Sequence, residues 1–191
     1  MQTLTINSFS SSLIIYVTLV ILVALQRLYE LKLSKKHETH LKTLGAVEKF
    51  PDHFLYMKLI HIFWLISCFY FSFKVNFPPD ILVSFIWFLV LITGQILRWH
   101  AIKTLGYRWT ARIFILPQVP PVTKGLYLYI KHPNYLGVVL EILALPMIFG
   151  LTSVAFIFSF LNGLILFVRI RLEEKALYHQ ENINESAAGN I

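Results

Sequence analysis

The stretch NYLGVVLEILALPMIFG (134–150) runs directly into LTSVAFIFSFLNGLILFVRI (151–170). Both blocks are long and apolar enough for a lipid interior, and Gly150, Thr152 and Ser153 suit the tight turn of a helical hairpin between them. A hairpin of this kind leaves the membrane on the side from which it came. Its two ends are polar: KHPNYLG (131–137) precedes it and RIRLEEKAL (169–177) closes it. Closing the hairpin therefore brings His132, Tyr135, Arg169, Glu173 and Glu174 to one interface, where they form a site for a polar ligand. Glu141 and Pro146 interrupt the shorter first arm, which is expected to be kinked and packed inside a bundle.

The rest of the chain is of the same kind. Of 191 residues, 57% are hydrophobic, and mean hydropathy is +0.65. This fits one domain whose apolar blocks are too long for a soluble core. The blocks at 13–25, 54–73, 81–97, 134–150 and 151–168 predict an all-α integral membrane fold with about five transmembrane helices, at 13–33, 54–76, 80–100, 134–150 and 151–172.

A net charge of +7 invites a nucleic-acid reading, but the cations are sorted by membrane side and no aromatic-interleaved basic stripe is present. Lys32, Lys35, Lys36, Lys42 and Lys49 follow the first span. Arg98, Lys103, Arg108, Arg112, Lys124 and Lys131 follow the third, Arg169, Arg171 and Lys175 follow the fifth, and Lys74 stands alone on the other side. The positive-inside rule then puts the N-terminus outside and the C-terminus in the cytoplasm. A cleaved signal peptide is the competing reading of residues 1–25, yet no basic residue precedes the apolar run and no small-residue cleavage pattern follows it. Cys68, the one cysteine, lies inside the second span and suits neither an intramolecular disulfide nor a catalytic thiol.

The long polar stretches 34–53 and 98–133 both fall on the cytoplasmic side, which places the active site at that face. The first reads as a helix up to Leu44, a turn at Gly45 and a return to the membrane at Pro51. The second, with Trp99, Tyr107, Trp109 and Phe114 among its basic residues, suits a segment lying along the interface. Pro117, Pro120 and Pro121 break any helix before Thr123-Lys124-Gly125-Leu126-Tyr127 turns into the His132 cluster. The polar tail after Tyr178 is expected to fray.

His132 precedes a proline, which biases its backbone away from helix while Pro133 starts the next one. A hydrogen-bonded histidine in an interfacial turn is the plain alternative for it. Asn134, Val138 and Glu141 share one helical face, and Glu141 also stacks on Gly137, so a carboxylate is set inside the membrane below a residue that permits close approach. Such a carboxylate is a functional candidate, or else a hydrogen bond to a neighbouring helix. Arg169 and Glu173, four apart, could form an ordinary intrahelical pair, but basic-first is the weaker order and adjacent glutamates near a helix C-terminus gain nothing from its dipole. A ligand accounts for them better. Lys58, His61, Gln95, Arg98, Arg27 and Glu30 could line the same cavity, pair together or snorkel, and snorkelling suits Lys58 and Arg27 best. His37 and His40 lack further ligands, so no metal is expected, and no glycine-rich nucleotide motif occurs.

Several spaced elements resemble one family. Val122-Thr123-Lys124-Gly125-Leu126-Tyr127, Lys131 to Gly137, Glu141, Pro146 and Arg169 with Glu173-Glu174 are similar to the C-terminal half of the isoprenylcysteine carboxyl methyltransferases and their phospholipid N-methyltransferase relatives. The match covers about 122–177, the expected cofactor-binding core. Lys131 stands where an arginine is usual and Leu126 where a proline is usual; the lysine keeps the charge but loses the planar fork. Upstream, Gly45-Ala46-Val47-Glu48 and Arg98 to Thr110 resemble the short bacterial branch, some of whose members O-methylate alkylpyrones and related lipids.

The resemblance implies an enzyme of the bacterial inner membrane using S-adenosylmethionine, held by Tyr127, His132, Asn134, Tyr135, Leu136, Gly137, Glu173 and Glu174. Arg169, Glu173 and Glu141 are the implied catalytic residues, and the acceptor is a lipophilic or prenylated molecule carrying a carboxylate, enol or phenol. The chemistry of the cluster agrees in part, since a sulfonium ligand with diol, amino-acid and adenine ends wants carboxylates, aromatic faces and amide donors together. A nicotinamide-dependent membrane reductase and a non-enzymatic scaffold remain as alternatives.

Overall fold

A computed structural model describes the backbone of residues 2–75, 79–117 and 119–188, with the side chains of 10–75, 79–117 and 119–177. Five helices carry the fold: α1 (Gln2–Thr43), α2 (His53–Ser72), α3 (Ile81–Leu105), α4 (Pro133–Ile148) and α5 (Thr152–Ala188). Four of them, all but α4, are long and apolar enough to cross a membrane. The protein is an integral membrane protein.

The expected spans match these helices in place but not always in length. Neither Gly nor Pro interrupts residues 2–43, so α1 carries its apolar block straight on into polar helix-forming residues and ends at Thr43, not at 33. It closes as the Leu44–Gly45 reading anticipated, with Gly45 N–H donating to Lys42 O (3.1 Å) and Ala46 N–H to Leu41 O (3.0 Å). The same cap forms the α4–α5 hairpin: Gly150, at φ +75°, donates to Met147 O (3.1 Å) and Leu151 to Pro146 O (2.9 Å). The left-handed conformation is why glycine stands there. The last helix, α5, runs on past the expected end of its span at 172 and through the polar tail to Ala188; the tail's side chains beyond Leu177 and the expected last residue of the second span, 76, lie outside the described residues.

Two short strands, β1 (Val47–Lys49) and β2 (Ile113–Ile115), pair antiparallel with Glu48 opposite Phe114. Neither was anticipated. Segment 98–133 does not lie along the interface as one unit. It folds back, and Ile113 and Ile115 bury themselves against Leu172, Ala176 and Leu177 of α5. Trp99 and Tyr107 stay exposed, whereas Trp109 is buried.

The core is built around α4, whose Val138, Ile142, Ala144 and Leu145 pack with Tyr16 and Val20 of α1, Trp64 and Cys68 of α2, and Leu91 of α3. Pro146 is buried within α4. Proline lacks the N–H that would bond the carbonyl four residues back, and the freed Ile142 carbonyl accepts instead from the Trp64 indole at 3.2 Å. Trp64→Phe keeps an aromatic ring but removes the indole N–H, orphaning that carbonyl and leaving a void, and is expected to cost at least about 1–3 kcal/mol, read as a lower midpoint of thermal unfolding in lipid nanodiscs.

α3 and α4 meet backbone to backbone. A methyl added at Gly137 would lie 2.6 Å from Arg98 Cγ and 2.7 Å from Gly94 O, a spacing only small residues allow. Gly137→Ala is therefore expected to force the helices apart at about 1–3 kcal/mol, visible in the same unfolding measurement.

Below that contact four charged side chains close a ring between α1, α3 and α4. Arg27 Nη2 donates to Glu141 Oε2 (2.6 Å) and its Nη1 to Glu30 Oε2 (3.1 Å). Arg98 Nη2 bonds Glu30 as well, and its Nε lies 3.4 Å from Glu141 Oε2. Gln26 adds a bond to Gln95 Oε1 at 2.6 Å. The snorkelling expected of Arg27 is thus overturned: with two carboxylates within reach inside the bundle, its head has no reason to seek the interface. Lys58 is exposed, while His61 turns its Nδ1 to its own helix, on Met57 O at 2.7 Å.

Candidate functional site

The hairpin brings the ends of α4 and α5 together over a cavity of about 660 Å³, a size ordinary for a small-molecule site. Its floor is the start of α4. His132 caps that helix with φ −129° and ψ 61°, outside the helical region that a following proline disfavours, and Pro133 takes the first helical position. One turn of helix then sets Asn134 and Tyr135 beside His132. The imidazole and the Tyr135 ring stack, 5.2 Å apart and 14° from parallel.

Tyr135 is the hub. Its hydroxyl accepts from Arg169 Nε at 2.8 Å and donates to Glu173. Arg169 and Glu173 therefore do not form the simple intrahelical pair. Tyr135 stands between them, and the Arg169 guanidinium also lies 5.5 Å from its ring centre. His132 Nε2 is 3.8 Å from Glu174 Oε1, too far for a hydrogen bond. Among the described residues it has no hydrogen-bond partner, nor has Asn134 Oδ1, and both atoms are buried. Unpartnered buried polar atoms facing a cavity of this size call for a polar ligand. Tyr127, on the 3₁₀ turn Gly125–Leu128, adds a second phenol. Burial, reinforced by the Glu173 carboxylate, pushes it well above the ordinary tyrosine range, so it stays a neutral hydrogen-bonding group.

Of the residues singled out in the sequence, Tyr127, His132, Asn134, Tyr135, Arg169, Glu173 and Glu174 all line this cavity. Glu141, Leu136 and Gly137 do not. Glu141 is fully buried in the charged ring, Gly137 faces Gly94, and Leu136 is 40% exposed.

Sequence reasoning missed the roof. Arg108, Trp109, Thr110, Arg112 and β2 add to the lining, beside Thr123 and Lys131 from the segments already quoted. The C-terminal end of α1 holds this roof in place: Ser34 Oγ accepts from Ala111 N–H at 2.9 Å and His37 Nδ1 bonds Trp109 O at 2.8 Å. Arg112 Nη1 pairs with Glu48 Oε1 at 2.5 Å across the strand ribbon. The signal was an ordinary one, polar residues at the end of a long helix, which says nothing of a fold-back 72 to 77 residues away in the chain. Among the described residues no group of three His, Cys, Asp or Glu side chains is placed to hold a metal ion.

Comparison with known proteins agrees with the geometry. The model of the isoprenylcysteine carboxyl methyltransferase family matches residues 86–179, a range containing both arms of the hairpin and the roof. A relative, the uncharacterized protein YpbQ of Bacillus subtilis (strain 168), is 34% identical over 163 residues, 83% of this chain and 94% of its own. The chain belongs to the isoprenylcysteine carboxyl methyltransferase family. An uncharacterized protein of Haemophilus influenzae is 29% identical over 154 residues, 80% of this chain and 89% of that protein. No solved structure gives a significant match. Membership of this family supports a membrane methyltransferase, and the family's members use S-adenosylmethionine as methyl donor.

Proposed function

We propose that this protein transfers a methyl group from S-adenosylmethionine to an oxygen of a lipophilic, membrane-resident acceptor, a carboxylate, enol or phenol. The observation that carries the reading is the cavity with Tyr135 bridging Arg169 and Glu173 beside the unpartnered His132 Nε2 and Asn134 Oδ1. These groups fit the cofactor: carboxylates at Glu173 and Glu174 for its cationic and diol parts, aromatic faces at Tyr127, Tyr135 and Trp109, and polar atoms in want of partners. When bound, the cofactor supplies an electrophilic methyl on sulfur.

The chain's own residues do the rest by position. Tyr135 locks the Arg169 guanidinium through its Nε, so that the Nη fork is left to orient the acceptor oxygen by charge-assisted bonds. Arg108, Trp109, Thr110, Arg112, β2 and Thr123 in the roof shield the reacting groups from bulk water, and the bilayer lets the acceptor's apolar body stay in lipid. Glu141 has a structural place in this account and no part in the chemistry. By the positive-inside pattern the site faces the cytoplasm, with the N-terminus outside, in the inner membrane of a bacterium.

The test is to incubate the protein in nanodiscs with S-adenosylmethionine labelled on its methyl and a bacterial lipid extract. Label passing into an organic-soluble, base-labile or ether product supports the reading. Label staying in water with every extract would remove it.

A further inference from the structure

The family match begins at residue 86, so nothing in it speaks for α1. Yet α1 runs past the expected end of its span at 33 to Thr43, and the added turns face the roof of the cavity. Ser34, His37, Glu38 and Leu41 recur at three- and four-residue steps, which puts them on one helical face. Ser34 Oγ accepts from Ala111 N–H at 2.9 Å and donates to Glu38 Oε1 at 2.6 Å. Glu38 Oε2 lies 3.8 Å from Arg112 Nε. Leu41 is 3% exposed and lines the cavity itself.

His37 grips one roof residue in two ways. A carbonyl only accepts, so its Nδ1 carries the proton and donates to Trp109 O at 2.8 Å. Its ring also meets the indole edge to face, with centres 6.4 Å apart at 87°. Trp109 follows directly on the 3₁₀ turn Gly106–Arg108. That turn is not clamped by packing, since a methyl added at Gly106 would meet nothing within 4 Å. The arginines on either side are engaged elsewhere, Arg108 Nη2 on Pro120 O at 2.9 Å and Arg112 Nη1 on Glu48 Oε1 at 2.5 Å. Trp109 is 5% exposed and lines the same cavity as His132, Tyr135 and Glu173, so its indole is a flat wall for whatever binds there. His37 itself is not among the cavity-lining residues and acts on the site only through Trp109.

We propose that His37 is a positioning residue of this site, setting the Trp109 indole as the wall against which the bound cofactor packs. The proposal rests on the methyltransferase reading and extends the binding machinery to a helix outside the matched range. An aromatic wall contributes to affinity only if it is already in place when the ligand arrives; otherwise ordering it costs part of the binding energy. The hydrogen bond to Trp109 O supplies that order from α1, which is anchored in the bundle by the Arg27 and Glu30 pairs.

The experiment labels the full-length protein in nanodiscs with fluorotryptophan, assigns the Trp109 fluorine resonance by its loss in Trp109→Phe, and measures S-adenosylmethionine affinity on the same samples by calorimetry. Wild type is expected to show a Trp109 signal that shifts when the cofactor binds. His37→Ala is expected to displace or broaden that signal before any cofactor is added, and to weaken affinity about tenfold, the scale of one lost hydrogen bond. His37→Asn, whose amide N–H can take the place of Nδ1–H, is expected to restore both. Wild-type affinity in His37→Ala, an undisturbed Trp109 signal there, or a loss that Asn does not restore would overturn the role of His37, while cofactor binding by wild type leaves the methyltransferase reading standing. A Trp109 signal that depends on His37 in a protein that binds no cofactor supports the hold on Trp109 and removes methyl transfer instead.

Discussion

Glu141→Ala is expected to lower the stability of the protein by about 3–5 kcal/mol, the range for removing one partner of a buried ion pair. Glu141 is fully buried and meets Arg27 at 2.6 Å and Arg98 at 3.4 Å. Its loss leaves two guanidinium groups inside a helical bundle with only Glu30 between them, and removes the tie that α4 makes to α1 and α3. Glu141→Gln fills the same volume and keeps one acceptor, so it is expected to fall between Ala and wild type. Thermal unfolding in nanodiscs reads both. An Ala variant melting with wild type would mean that the charged ring does not hold the bundle.

Arg169→Ala is expected to fold and to lose methyl transfer by about 10²–10³-fold, the size of removing one preorganised donor at a developing charge. Arg169 is 4% exposed, but its one hydrogen bond among the described residues goes to Tyr135, which keeps Glu173 as a partner, so no buried charge is stranded. Arg169→Lys keeps the charge and loses the planar fork, and should recover only part of the rate. Glu173→Ala differs in kind: it is expected to weaken cofactor binding as well as turnover. Transfer of labelled methyl to a lipid extract, set beside calorimetric affinity for each variant, separates the two. Wild-type turnover in Arg169→Ala would remove it from the chemistry.

The long apolar blocks made the five helices legible, and the hairpin made most of the site legible, because the 37 mostly apolar residues from Asn134 to Ile170 can return to the same face in few ways. Seven of the residues that converge on the cavity could thus be named from spacing, chemistry and resemblance. The roof could not. Val47–Lys49 and Ile113–Ile115 are three-residue strands, too short for any alternation to show, and they exist only because each meets the other across the chain. Glu141 misled for a related reason. Its cost in the membrane pointed to function, but what resolves the cost is Arg27 and Arg98, and the pairing of residues 114 and 43 positions away leaves no local trace. The freed carbonyl of Ile142 was implicit in Pro146, whereas its partner, Trp64, was not.

Calorimetric titration of the purified protein in nanodiscs with S-adenosylmethionine, with NADPH in a parallel run, tests the central claim most directly. Micromolar binding of S-adenosylmethionine that is lost in both His132→Ala and Glu173→Ala is the result this account predicts. Binding of NADPH alone, or of neither ligand, would contradict it.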